Sequence, residues 1–156
     1  MNYQEADAKL LTGRCSTRRK VQNNTYLERS DSYVHDKTIS VRLHQTNIIT
    51  FYPDGRIDVC NGGYPTVTTH DRLNTYLPRP YRVYGEPVES RRSSHGMTVL
   101  SDGRGNECLV DATACISASG VIDGKDVSQY RQQRREELNA AIAFSPFHSR
   151  ARRRMI

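Results

Sequence analysis

From Ile39 to His44 apolar and polar side chains alternate strictly, and this period of two constrains the fold more than any other feature of the chain. Ile39, Val41 and Leu43 alternate with Ser40, Arg42 and His44, the pattern of a strand with one face buried and the other wet. Gln45-Thr46-Asn47 turns the chain into an apolar run from Ile48 to Tyr52. Pro53-Asp54-Gly55 is then a hairpin signal leading to Ile57 and Val59. With a short strand at Thr25 to Arg29 upstream, these segments make an antiparallel meander. The meander ends in Asn61 to Leu77, NGGYPTVTTHDRLNTYL. Gly62 and Gly63 adopt positive φ at no steric cost, which suits a tight turn or bulge between a strand ending near Cys60 and one beginning near Tyr64. Thr68 and Thr69 are N-cap candidates, and Asp71 stands three residues after Thr68 as in a capping box. Leu73, Tyr76 and Leu77 fall on one face of a helix of about two turns that Pro78 and Pro80 close, and that face covers the sheet.

Further along, Tyr81 to Tyr84 alternates as a strand, and residues 85–95 read as a loop. Met97 to Leu100 and Glu107 to Asp111 flank Asp102-Gly103-Arg104-Gly105 as a second hairpin. Ala112 to Gly120 is small and ambiguous. Val127, Tyr130, Arg134, Leu138, Ala141 and Ile142 form one helical stripe that Asp126 or Ser128 can cap, an amphipathic helix docked on the domain or on a neighbour. The fold class is α+β: a twisted antiparallel meander, a short helix after the double glycine, a second hairpin and a C-terminal amphipathic helix.

Charge divides the 156 residues further. The net +6 is concentrated at the ends: +3 over residues 1–20, −1 over 21–78, −1 over 79–126 and +5 over 127–156. A hydrophobic content of 36% is low for a compact globule, so the ends are expected to contribute little to the core. The predicted segmentation is a basic N-terminal arm over 1–20, a β-rich core over 21–125, a helix over 126–143 and an arginine-rich tail over 144–156. In the first arm, Asp7 to Leu11 reads as a frayed helical turn. Arg14, Arg18, Arg19 and Lys20 crowd into seven residues behind it, and Arg150, Arg152, Arg153 and Arg154 into five at the other end. Arg91 and Arg92 lie in the loop between. Each cluster has two readings, a solvated surface or a contact with a polyanion. Exposed rings among the nine tyrosines, such as Tyr26, Tyr52, Tyr64 and Tyr81, would stack bases, while buried ones would be core.

The strings NNTYLER at Asn23 to Arg29, ISVRLHQTNIITFYPDGRI at Ile39 to Ile57, and NGGYPTVTTHDRLNTYL together resemble a group of small tailed-phage proteins without an assigned function. The shared pattern is an NNTYL strand, an RLH strand, a hairpin with Asp-Gly, a double glycine followed by an aromatic, and TTxDRxN. The chain departs from it at Tyr64-Pro65, where the pattern has Trp and then a residue with a backbone donor. The resemblance covers roughly residues 21 to 80 and implies a phage origin and a β-rich fold. It carries over no catalytic residue.

Chemistry-bearing motifs are few. His70 and Asp71 are adjacent, so on a helix their side chains point about 100° apart and form no relay pair, leaving His70 a surface residue. His44 falls on the polar side of its strand. Cys15, Cys60, Cys108 and Cys115 lack the paired spacing of a structural zinc site and read as free thiols in a chain without a signal peptide. Arg104 occupies a position where a calcium loop needs an oxygen, and the Gly103-Arg104-Gly105 run lacks the third glycine of a phosphate loop. The sequence thus leads to no enzyme, metal or cofactor. It favours a non-catalytic phage accessory protein of the host cytoplasm that binds nucleic acid, or another polyanion, non-specifically through its basic ends. One alternative is a virion structural or assembly component whose arms contact neighbouring subunits or acidic protein surfaces. Another is a takeover or anti-defence factor that binds a host protein.

Overall fold

The computed structural model describes residues 1–30, 37–86, 97–110 and 114–143. The chain forms two units, Met1–Lys125 and Asp126–Ile156. The first contains β1 (Arg18–Gln22), β2 (Thr25–Arg29), β3 (Ile39–Leu43), β4 (Thr46–Phe51) and β5 (Ile57–Val59), each antiparallel to the one before. The meander continues without its neighbour in sequence. β5 pairs next with β9 (Ala114–Ile116), and β9 with β10 (Ile122–Asp123), to complete a seven-stranded sheet. The chain between β5 and β9 carries helix α2 (Val67–Tyr76) and the strands β6 (Arg82–Glu86), β7 (Met97–Ser101) and β8 (Glu107–Leu109) of a second sheet, which the short β11 (Lys125–Asp126) extends. The α+β class stands.

The core lies on one face of the large sheet. Leu27, Ile39, Val41, Ile49, Phe51 and Val59 are wholly inaccessible to solvent, and α2 covers them with Leu73, Tyr76 and Leu77, as their spacing predicts. A bulge in β4 adds to this face. Val41 pairs with Ile49 but Arg42 with Asn47, so Ile48 is the extra residue and both isoleucines are buried. The opposite face of β3 is less wet than its alternation implies: Ser40 is buried beside Thr50, to which it is hydrogen-bonded at 3.2 Å.

The N-terminal segment differs most from expectation. Residues 3–11 are a helix, α1, closed at its start by a capping box in which Asn2 and Glu5 exchange side-chain and backbone hydrogen bonds. Its Ala6 and Leu10 are part of the core, and Asp7 pairs with Arg29 of β2. Arg18 to Lys20, read as the end of a cationic arm, belong with Val21 and Gln22 to an edge strand of the sheet.

The stretch after β5 also departs in detail. Gly62 and Gly63 have φ of 63° and 77°, but no strand begins at Tyr64. Its amide closes a turn onto the Asn61 carbonyl at 3.0 Å, and Pro65, without an N–H, leads directly to the helix. The N-cap is Thr66, not Thr68 or Thr69: its hydroxyl accepts from the Thr69 amide at 3.2 Å. Asp71 therefore lies inside the helix and pairs with Arg72 rather than closing a capping box. The second unit contains α3, Val127–Ala143, where Asp126 accepts from the Ser128 amide at 2.7 Å. On the predicted stripe Leu138 and Ile142 are exposed.

Candidate functional site

The solvent side of the seven-stranded sheet is built by register. One row of paired residues crosses all seven strands: Arg18, Glu28, Ser40, Thr50, Asp58, Cys115 and Asp123. A shorter row beside it runs Lys20, Tyr26, Arg42 and Asn47. Directly opposed side chains on one face lie close enough to interact. The row is consequently polarised, with cations at the β1 edge and carboxylates toward β9 and β10.

At the basic end, the Arg18 guanidinium lies 4.2 Å from the centre of the Tyr26 ring and that of Arg42 5.8 Å. Both also reach Glu28, at 2.9 Å from Arg18 Nε and 3.2 Å from Arg42 Nη2. Arg18 is half-exposed and Arg42 largely covered. Lys20, beside Tyr26 in the ladder, is exposed, as is Arg14 ahead of the strand. Two guanidinium groups thus face one ring, with Lys20 its neighbour in the ladder and, among the described residues, Glu28 as the carboxylate that both guanidinium groups reach. A ring face attracts a cation through its quadrupole, and a guanidinium stacked on it is held in place with part of its fork still available to an anion.

Toward the other end, Tyr52 donates to Asp58 at 2.8 Å, and Arg56 lies 3.8 Å over the Tyr52 ring. Burial, with Asp58 beside them, pushes both the Tyr52 hydroxyl and the Cys115 thiol above their ordinary pKa values. Cys15, Cys60, Cys108 and Cys115 are free thiols. The buried Cys108 is raised to about 11 by loss of water, while the exposed Cys15 is lowered by its hydrogen bonds to Thr17. Among the described residues no group of three His, Cys, Asp or Glu side chains stands ready to hold a metal ion. The Asp102 carboxylate accepts from the Arg104 amide at 2.7 Å and from both nitrogens of Asn106, so it organises its hairpin turn.

The cations singled out from sequence have different fates. Arg14, Arg18 and Lys20 are on the surface at the β1 edge. Arg19 points the other way: its Nη1 donates to the Lys9 carbonyl at 2.5 Å and the Thr12 hydroxyl at 2.8 Å, satisfying the C-terminal end of α1. It is a structural residue. Arg91, Arg92, Arg150, Arg152, Arg153 and Arg154 lie outside the described residues. Tyr26 and Arg42 complete the cluster, and the signal for both was their place on the polar side of alternating strands. The tyrosines divide as well, with Tyr26, Tyr52 and Tyr81 partly buried and Tyr64 64% exposed.

His70 is partly buried rather than freely exposed on the helix surface. Its Nε2 lies 2.9 Å from the Thr98 hydroxyl, and its partial burial holds the imidazole below its ordinary pKa. No helix among the described residues is long and apolar enough to cross a membrane.

A family model described as Kyanoviridae Gp96 protein matches residues 7–97, more than half of the chain. No curated protein and no solved structure matches it.

Proposed function

Since the chain belongs to the Kyanoviridae Gp96 protein family, a family of phage proteins, we propose that it is a non-catalytic accessory protein that binds nucleic acid non-specifically, with the β1 edge of the seven-stranded sheet as its ordered contact surface. The observation that carries this reading is that Arg18 and Arg42 lie over Tyr26, with Lys20 beside it in the ladder and, among the described residues, Glu28 alone paired with the two arginines. Phosphates are bound by such clusters through charge and through release of condensed counterions, without reference to base sequence. Arg18 lies over the ring of Tyr26, so the arrangement favours phosphate contact over base stacking. Arg14 extends the patch. In this reading Arg91, Arg92 and the tail arginines add further phosphate contacts, and the host cytoplasm, where nucleic acid is accessible, is the place of action.

The test is binding of the full chain to labelled duplex and single-stranded DNA across a salt series, beside Lys20→Glu, Arg14→Glu and a version ending at residue 143. Full-length protein is expected to bind with a steep salt slope. Each lost phosphate contact should flatten log K against log salt by about 0.9 on duplex or about 0.7 on a single strand. Lys20→Glu binding indistinguishable from the parent at every salt concentration would remove the β1 edge from the interface. Absence of binding by the full chain at low salt would overturn the proposal as a whole.

A further inference from the structure

On the covered side of the sheet a cavity of about 470 Å³ opens between the β3–β4 turn, the turn from Asn61 to Tyr64 and the first turn of α2. We propose that this cavity binds a neutral saccharide. It uses none of the residues assigned to polyanion binding and stands independently of that reading.

The lining selects against charge. In a chain whose residues are 26% charged, no Asp, Glu, Lys or Arg lines this cavity. His44 is the one lining residue that can carry a charge, so a phosphate or carboxylate ligand would find no permanent counter-ion there. Leu43 and Ile48 back the cavity wall but are nearly inaccessible to solvent, so they offer a ligand little surface. Tyr64 adds a ring that is 64% exposed. Around them stand His44, Gln45, Thr46, Thr66 and Thr68, the Thr66 hydroxyl being already engaged with Thr69 at the start of α2. A sugar ring has this same division, with C–H groups on its faces and hydroxyls around its edge that both donate and accept. Threonine hydroxyls and amides match those edges because each also donates and accepts. A nucleobase is also flat and uncharged, but it is gripped best in a slot between two planar groups. Tyr64 and His44 are the aromatic residues among those lining the cavity, so a base between these two rings is the rival occupant that the nucleoside titrations below separate from a sugar. The volume falls within the range of small-molecule sites, about 300–1,000 Å³.

The backbone at the mouth gives a second, independent indication. His44 is the first residue of the two-residue turn between β3 and β4 and has φ of 54°. Two-residue hairpin turns commonly place glycine where φ is positive, because a side chain there is strained. A histidine is held in that conformation with its side chain on the cavity, and strain of this kind persists where the surrounding structure or a function requires it.

The experiment is an amide-resolved NMR titration of the full chain with glucose, galactose, N-acetylglucosamine and maltose. It is run at high salt, so that charge contacts with polyanions are screened and failure of either proposal is seen separately. Adenosine, uridine and inorganic phosphate are titrated in parallel. The expected result is saturable shifts at Gln45, Tyr64 and Thr66 with at least one saccharide, at a Kd of about 1–10 mM. Tyr64→Ala, at an exposed position, should keep the melting temperature and weaken binding about tenfold. His44→Gly should raise the melting temperature yet weaken binding, a pairing that a purely structural role for His44 does not produce. No saturable shift at about 50 mM of any saccharide, well above the expected Kd, would overturn the proposal. So would saturation by a nucleoside or phosphate alone, or saccharide shifts that Tyr64→Ala leaves unchanged.

Discussion

At Gly62 a methyl group would have no room. With φ at 63°, a Cβ built there falls 2.5 Å from Cγ2 of Thr46, whereas at Gly63, with φ at 77°, it meets nothing within 4 Å. Gly63→Ala should cost about 1 kcal/mol for the left-handed backbone alone, and Gly62→Ala about 2–4 kcal/mol because the steric clash adds to it. Chemical denaturation of the pair checks the difference, and equal losses would show that the Thr46 contact is immaterial. The glycines were legible from sequence because their property is local. Asn61 beside them was not: its amide donates to the Val110 carbonyl and to the Thr98 hydroxyl, partners far along the chain. Thr98 also meets His70, whose pKa is lowered by loss of water. The unfolded chain therefore takes up the His70 proton more readily than the folded one. His70 should leave stability intact above its ordinary pKa of 6.5 and reduce it as pH falls below that value. His70→Gln should flatten the decline of melting temperature between about pH 6.5 and 5, and an unchanged slope would assign the decline to other groups.

Among the elements, those written in local chemistry were readable and those made by distant pairing were not. Strand β3 follows from alternation, β2 stands where a short strand was expected, and α2 follows from Leu73, Tyr76 and Leu77, although its cap lies at Thr66, two residues before Thr68. The α1 helix offers only Ala6 and Leu10, one turn apart, to mark its buried side, too few positions for a periodic signal. β1 reads as a cationic run because its chain of RRKVQ is stabilised by pairing with β2, not by its own apolar residues. Two substitutions test whether α1 is an integral part of the fold. Leu10→Ala should cost about 2–5 kcal/mol, the usual range for emptying a buried leucine site. Arg19→Ala should cost about 1 kcal/mol through loss of its hydrogen bonds at the end of α1. Losses near zero for both would return this segment to the status of an arm. The basic cluster was half legible: Arg14, Arg18 and Lys20 were visible as charge, but the roles of Arg19, Tyr26 and Arg42 required the strand register.

On the scale of the whole molecule, every described residue of the hydrophobic core cluster belongs to Met1–Lys125. A chain ending at Lys125 should therefore unfold cooperatively in denaturant, with coincident transitions by circular dichroism and tyrosine fluorescence. A broad or probe-dependent transition would show that the first unit needs the second. The pairing of β5 with β9 also has a consequence for synthesis. Ile57 pairs with Ile116 and Val59 with Ala114, so the outer edge of β5 has no partner until more than fifty further residues have been translated. At 5–20 residues per second that interval lasts roughly 3–11 s. During it the nascent meander presents an open strand edge, the template on which neighbouring chains aggregate. The vulnerable form of this protein is the one still attached to the ribosome, and slowing translation before Ala114 would lengthen its exposure.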